Sequence, residues 1–288
     1  MNRSNKKGKK IIGWLFFLAA IGLCCVQGVY FLLENNYTVE YIDNRIFYVI
    51  NLLIIVFMMF TIFLLLTLEK KGKILISSIA AALILLQAGL MVNHSYETKQ
   101  VISFSPELNH LLVIKEDSDT GQAAYYRTRY GLFARPKEDL PYQTSGDYKV
   151  KWLEKDIAAV TYEAADHNLH QYIGTYGARD GGISYSYVAS MSRGQWKGDA
   201  AQVTNSSEGI AIDYQGETEH YTQENMVQFG TLALVLMENN EAKWTIALNE
   251  NFQSNSNDPE PPAGEITLYK ATMEKNAPIT LEYISTTD

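Results

Sequence analysis

The chain has 288 residues, 47% of them apolar and 19% charged, with a formal net charge of -8, and its mean hydropathy of -0.12 hides a split. Residues 1–93 hold 9 Lys and Arg against 4 Asp and Glu, or +5, which leaves 15 against 28, or -13, for residues 94–288. This polarity excludes a single soluble domain, a disordered chain and a basic nucleic-acid binder, so nucleic acid is not an expected partner.

Residues 1–10 read as a basic cytoplasmic tail (Arg3, Lys6, Lys7, Lys9, Lys10). Three uncharged runs follow within residues 11–93: Ile11–Leu33, Ile46–Leu68 and Ile74–Val92, of 23, 23 and 19 residues. As helices they would be roughly 35, 35 and 29 Å long against a hydrocarbon core of about 30 Å, so each is expected to span a bilayer. The first run is too long for the apolar part of a signal peptide, and Leu23 stands before Cys24 where lipoprotein cleavage needs a small residue. An uncleaved span is expected.

Lys and Arg set the expected orientation. The tail carries five, the loop Glu69–Lys73 three, and the loop Glu34–Arg45 only Arg45, beside Glu34, Glu40 and Asp43. The positive-inside rule then puts the N-terminus in the cytoplasm and residues 94–288 outside. The bulky second span suits lipid contact. The third carries Ser77/Ala81 and Ser78/Ala82, small pairs that allow close approach, and reads as the packing centre. Each span holds one amide, Gln27, Asn51 or Gln87, five or six residues in from its outer end. The shared depth of about 8–9 Å predicts an interhelical amide layer. No Asp, Glu, Lys, Arg or His lies within the runs, which argues against a proton relay or an ion-coupled carrier.

Residues 94–288 read as an all-β antiparallel domain, sandwich or propeller-like. Only Asn93–Gln100 separates the third span from the first strand, so no long stalk is expected. Fourteen strands are predicted, from Gln100–Phe104 and Leu111–Lys115 through Ser184–Ala189 and Lys243–Leu248 to Glu265–Tyr269 and Ile279–Tyr283. The Asp117–Gly121, Gln215-Gly216 and Glu238–Glu241 segments supply turns. Glu224–Met237 is open to a short helix. The proline-rich loop 255–264 isolates a terminal hairpin, Glu265–Tyr283, expected to dock on the main sheets because a lone hairpin is marginal. No Cys follows Cys25, which fits a Gram-positive surface better than a eukaryotic secretory one. The three Asn-x-Ser/Thr matches at Asn36, Asn93 and Asn205 read as chance.

Phe104-Ser105-Pro106 followed by Leu111-Leu112-Val113, and the step Trp152–Val160, resemble the opening and the strand-turn-strand of a TolB-type propeller blade across 103–162. The whole layout resembles uncharacterised Gram-positive three-span membrane proteins with an exported β-domain, which implies a location and no activity.

The candidate chemistry is sparse. His167 and His170 form His-x-x-His, but no Cys lies near, and a solvated turn is expected. Asp117-x-Asp119-x-Gly121 lacks the rest of an EF-hand loop and reads as a hairpin turn. Gly174, Gly177, Gly181 and Gly182 around Arg179-Asp180 read as a mobile loop, with no helix to make a phosphate site. No Ser sits in a nucleophile motif. No catalytic residue, metal or cofactor is therefore assigned. Tyr125, Arg127, Arg129, Arg135 and Lys137 make a basic, aromatic-flanked strip suited to an anionic headgroup or envelope polymer. The expected function is a non-enzymatic, membrane-anchored interaction or sensing module of the cell envelope. Its expected partners are the lipid bilayer and either another membrane protein or an anionic envelope polymer. The alternatives are an exported wall-modifying hydrolase and an accessory subunit of a membrane transporter.

Overall fold

The computed structural model describes residues 3–177, 187–253 and 261–285. They fall into two compact units. One holds residues 1–102 and 113–139, the other residues 103–112 and 140–288.

The first unit begins with three helices, α1 (Arg3–Tyr37), α2 (Arg45–Leu65) and α3 (Lys70–Glu97). All three are long and apolar enough to cross a membrane, which makes the protein a multi-pass membrane protein. The basic tail is the start of α1 rather than a separate segment. α2 stops at Leu65, three residues before the end of its apolar run, where Leu66 turns extended and the chain reverses towards α3. α2 lies between α1 and α3, and it is the packing centre, not α3 as the small residues imply. Ser77, Ser78, Ala81 and Ala82 are all exposed. The reason is bulk. Phe16 of α1 packs on Phe57 and Phe60 of α2 with ring centroids 5.4 and 5.3 Å apart. At Gly13 the helices close so tightly that a Cβ would stand 2.7 Å from Leu65. Large interdigitating rings give more dispersion contact than a shallow small-residue stripe.

The loop after α1 contains a two-residue strand, β1 (Glu40–Tyr41), and β2 (Thr98–Phe104) starts directly after α3 with no connector. With β3 (Leu111–Asp117), β4 (Ala123–Arg129) and β5 (Phe133–Asp139) they form a sheet in the order β1-β5-β4-β3-β2. β5 is absent from the predicted strands because Pro136 demotes the run. The proline is tolerated because the register shifts there: Tyr126 faces Pro136 and Tyr125 faces Glu138.

The second unit is antiparallel throughout. Three strands, β6 (Thr144–Glu154), β7 (Ile157–Ala164) and β8 (Leu169–Thr175), make one sheet. A short helix, α4 (Val188–Met191), stands where the end of a Ser184–Ala189 strand was predicted. Residues 184–186 of that strand, with Arg179 to Gly182, lie outside the described residues, as do 255–260 of the proline-rich loop. Two meanders follow. The first is β9 (Gly194–Lys197), β10 (Ala201–Asn205), β11 (Ile210–Tyr214) and β12 (Glu217–Tyr221). The second is β13 (Met226–Phe229), β14 (Ala233–Glu238) and β15 (Glu241–Leu248), so Glu224–Met237 is not a helix. The terminal hairpin, β16 (Glu265–Lys270) and β17 (Ile279–Ser285), completes a nine-stranded sheet, β12-β11-β10-β9-β17-β16-β15-β14-β13. The hairpin is thus inserted between the meanders rather than laid on them.

This order forces curvature. Tyr221 ends one edge strand and Met226 starts the other. Five residue steps reach at most about 18 Å, whereas nine flat strands would separate the edges by roughly 38 Å. The sheet must therefore curl. Its inner face holds Trp196, Val203, Ile212, Leu234, Leu236, Trp244, Ile246 and Leu268, all buried. On the outer face Ala233, Val235, Ala247 and Tyr269 pack against Leu153, Ile157, Ala159 and Ile173 of the three-stranded sheet. β14 to β16 are buried on both faces, which explains their near-continuous apolar text.

Candidate functional site

The first unit carries a line of polar side chains from within the helices into the sheet. In the spans, Gln27 Nε2 donates to Asn51 Oδ1 at 2.8 Å and to Phe47 O at 2.9 Å. Asn51 Nδ2 reaches Gln87 Oε1 at 3.4 Å, so the three amides meet. The line continues outwards, because Tyr41 Oη donates to Gln27 Oε1 at 2.9 Å. Tyr41 is 1% exposed, stacked on Tyr30 and tilted against Phe133. In an apolar setting each amide left bare is costly, so the set stabilises the bundle as a whole. Gln27 makes three of these bonds and Gln87 one long one. In full-length protein unfolded by SDS from mixed micelles, Gln27→Leu should therefore cost about 1–2 kcal/mol and Gln87→Leu about 0.6. Equal losses would mean that the amides act separately.

Above this layer sits Lys115 of β3, 4% exposed. Its Nζ donates to Glu40 Oε2 at 2.8 Å, Tyr41 O at 2.7 Å and Asn44 Oδ1 at 2.5 Å, and stands 4.9 Å from the Tyr126 ring centre. Tyr126 Oη donates to the other Glu40 oxygen at 2.9 Å. Asn44 also contacts His94 Nε2 through Nδ2 at 2.9 Å and Gln100 Oε1 through its backbone N–H at 3.1 Å. One ammonium thus ties the α1–α2 loop to the sheet, and the same loop reaches the end of α3. Burial pushes the Lys115 ammonium below its ordinary range, and Glu40 opposes that shift. Burial, reinforced by Glu40, pushes the Tyr126 hydroxyl well above its ordinary value. A cavity of about 640 Å³ opens beside these groups, lined by Tyr30, Glu34, Glu40, Tyr48, His94 and Lys115 among others. Its buried charge is already neutralised within the wall, which suits coupling better than catalysis.

The basic strip lies on β4 and β5. Arg127 and Arg135 are direct cross-strand partners, Arg129 faces Phe133, and the Lys137 ammonium lies 5.8 Å from the Tyr125 ring centre. The four cationic residues are exposed, whereas Tyr125 is 1% exposed and serves as the ring beneath Lys137. Sequence alternation finds the strip on β4. It misses the pairing with β5 and the whole Lys115 node, because lysine is almost never fully buried unless paired, and its partners lie over 70 residues away.

In the second unit His167 and His170 part company. His167 is exposed in the β7–β8 turn at φ +64°, while His170 is 1% exposed, against the expected solvated turn. β8 points it inwards, where its ring stacks on Tyr142 with centroids 3.6 Å apart and Nε2 lies 3.3 Å from Asp166. Asp117 Oδ1 takes the Asp119 and Thr120 backbone N–H groups at 3.1 and 2.9 Å, which is a turn bond set. A second cavity, of about 380 Å³, brings Arg193, Asn205, Gln223 and Gln228 together, with no carboxylate, imidazole or thiol among its described lining residues. No known protein family, curated protein or solved structure matches this chain.

Proposed function

We propose that the protein is a membrane-anchored interaction or sensing module of the cell envelope, with no catalysis of its own and with residues 94–288 outside the cytoplasm. The observation that carries this reading is the polar line from Gln87 through Asn51, Gln27 and Tyr41 to Lys115. It joins all three helices to a sheet through groups that satisfy one another, so strain placed on the sheet is felt at the amides inside the spans. A mere anchor needs no such line. The exported placement rests on five basic residues in the tail and three in the α2–α3 loop, against one in the α1–α2 loop.

Sidedness is tested with protease and an antibody against the C-terminus. Intact cells should lose the β-rich part, and sealed inside-out vesicles should keep it. The reverse pattern overturns the exported reading. Coupling is tested by hydrogen exchange on the full chain in micelles. Lys115→Met should speed exchange at Ile42, whose N–H bonds to Leu132 O at 2.9 Å, and also in the turns of α1 and α2 around Gln27 and Asn51. Acceleration confined to the sheet would leave the spans uncoupled and defeat the sensing reading.

A further inference from the structure

Side chains alternate across a strand, so the register of β4 and β5 decides what the basic strip faces. Arg129 is paired with Phe133, and Arg127 with Arg135. Arg127, Arg129 and Arg135 therefore share one sheet face with Phe133. Phe133 is 7% exposed and joins the apolar cluster with Tyr41, Leu23, Val26, Tyr30, Phe47 and Ile54, most of them side chains of α1 and α2. The arginines thus stand on the face of the sheet that is turned towards the membrane helices, on the part that reaches past them. The other face carries Tyr126 and Ala134, and Glu40 opposite Ala134.

The height of this face is also fixed. The β4–β5 turn is Tyr130-Gly131-Leu132, closed by the Arg129–Phe133 pair, with φ of +50° and +77° at its first two residues. Leu132 O, at its end, accepts the Ile42 N–H, and α2 begins three residues after Ile42 at Arg45. The hairpin tip therefore lies level with the end of a membrane helix. Tyr130 is 83% and Leu132 47% exposed there, an aromatic and an aliphatic side chain at the depth where a bilayer accepts both. Beside them, Arg127 and Arg135 oppose each other directly, and neither they nor Arg129 has an ion-pair partner among the described residues. Like charges placed opposite one another on a sheet destabilise it unless an anion stands between them.

We propose that Arg127, Arg129 and Arg135 bind the phosphate of an anionic phospholipid in the leaflet of the protein's own bilayer, with Tyr130 and Leu132 set among the headgroups. Charge complementarity and continuity with the helix surface both select a lipid. The inference requires only that α1 to α3 span a bilayer, so it stands or falls separately from the sidedness proposed above.

Full-length protein in dodecyl maltoside micelles is mixed with phosphatidylglycerol or phosphatidylcholine, and retained lipids are counted by native mass spectrometry. Phosphatidylglycerol should be retained in preference. Each Arg→Gln change at 127, 129 or 135 should weaken that retention roughly fivefold relative to the unmodified chain, the effect of about one basic residue near an anionic surface. Arg127→Lys should keep most of it. Melting in lipid-free micelles should be unchanged or raised in Arg135→Gln, which separates lost binding from lost folding. Equal retention of both lipids, or phosphatidylglycerol retention unchanged in the triple glutamine variant, overturns the proposal. So does saturable binding of soluble polyglycerol phosphate with no phosphatidylglycerol preference, which would assign the strip to an envelope polymer.

Discussion

Glu40→Gln should loosen the membrane-proximal unit more than any other single polar substitution in it. The variant keeps the shape of the site but leaves the Lys115 ammonium with only neutral acceptors, the Tyr41 carbonyl, the Asn44 amide oxygen and the introduced side-chain amide oxygen, and no counter-charge. Breaking a buried pair from one side costs about 3–5 kcal/mol. The Glu40 side chain is 35% exposed while that of Lys115 is 3% exposed, so water already screens part of the attraction and a loss of roughly 2–3 kcal/mol is expected. Lys115→Met should cost less, since the orphaned Glu40 carboxylate can turn to water and keeps the Tyr126 hydroxyl. The double variant should match Lys115→Met, and the cycle isolates the pair. The pH dependence has a definite sign. A lysine whose folded value lies below its ordinary one sheds its proton first in the folded chain, so stability rises with pH between that folded value and about 10.4. Without Glu40 to oppose the depression the window opens at lower pH. Glu40→Gln should therefore recover part of its loss as the pH rises towards about 10.4, read as a higher protection factor at the Ile42 amide once the base-catalysed intrinsic rate has been divided out. If exchange there equals that of the unmodified chain at pH 7, the Lys115 node does not hold the loop.

The helices and most strands are legible because their signals are local. Uncharged runs of about 20 residues read as spans from composition alone, and Gly216, Asn239 and Asn240 take in their turns the positive φ that their residue types favour. The shared depth of Gln27, Asn51 and Gln87 is also visible in the sequence, since residues counted from a common boundary align in neighbouring helices. What is not visible is non-local. Tyr41, which extends the amide line, sits in a loop whose two-residue strand exists only because β5 offers it a partner, 92 residues on in the register Tyr41 to Phe133. β5 in turn is hidden by Pro136, whose missing N–H is harmless only at a register shift. The small residues of α3 mislead for a related reason. Sequence shows that a close approach is permitted but not which neighbour provides the larger contact, and the aromatic side chains of α1 and α2 provide it. The insertion of β16–β17 between two meanders is likewise a topological fact with no local mark, although the need to dock that hairpin is apparent.

Trp244→Ala should unfold or open the curled sheet of the second unit, at a cost of about 3–5 kcal/mol for a fully buried large-to-small change. Trp244 is 0% exposed on β15. Its ring meets Tyr214 edge-on at 5.1 Å, and its Nε1 donates to Glu219 Oε2 at 2.7 Å. Glu219 lies on β12, one edge of the nine-stranded sheet, while β15 is the third strand from the opposite edge. The indole therefore crosses the interior and joins the two ends of the curl, and Tyr221 of β12 donates to the same carboxylate. Truncation removes the packing and leaves Glu219 with one donor fewer. Trp244→Phe keeps most of the ring and loses the Nε1–H bond, so it should cost about 1 kcal/mol, more if Glu219 cannot reach water. Local exchange separates closure of the curl from general stability. In Trp244→Ala the amides of β12, bonded only to β11 at the sheet edge, should exchange first, ahead of those in β7 at the centre of the three-stranded sheet. Uniform acceleration across both sheets would mean that Trp244 supports the core as a whole and that its bond to Glu219 does not hold the edges together.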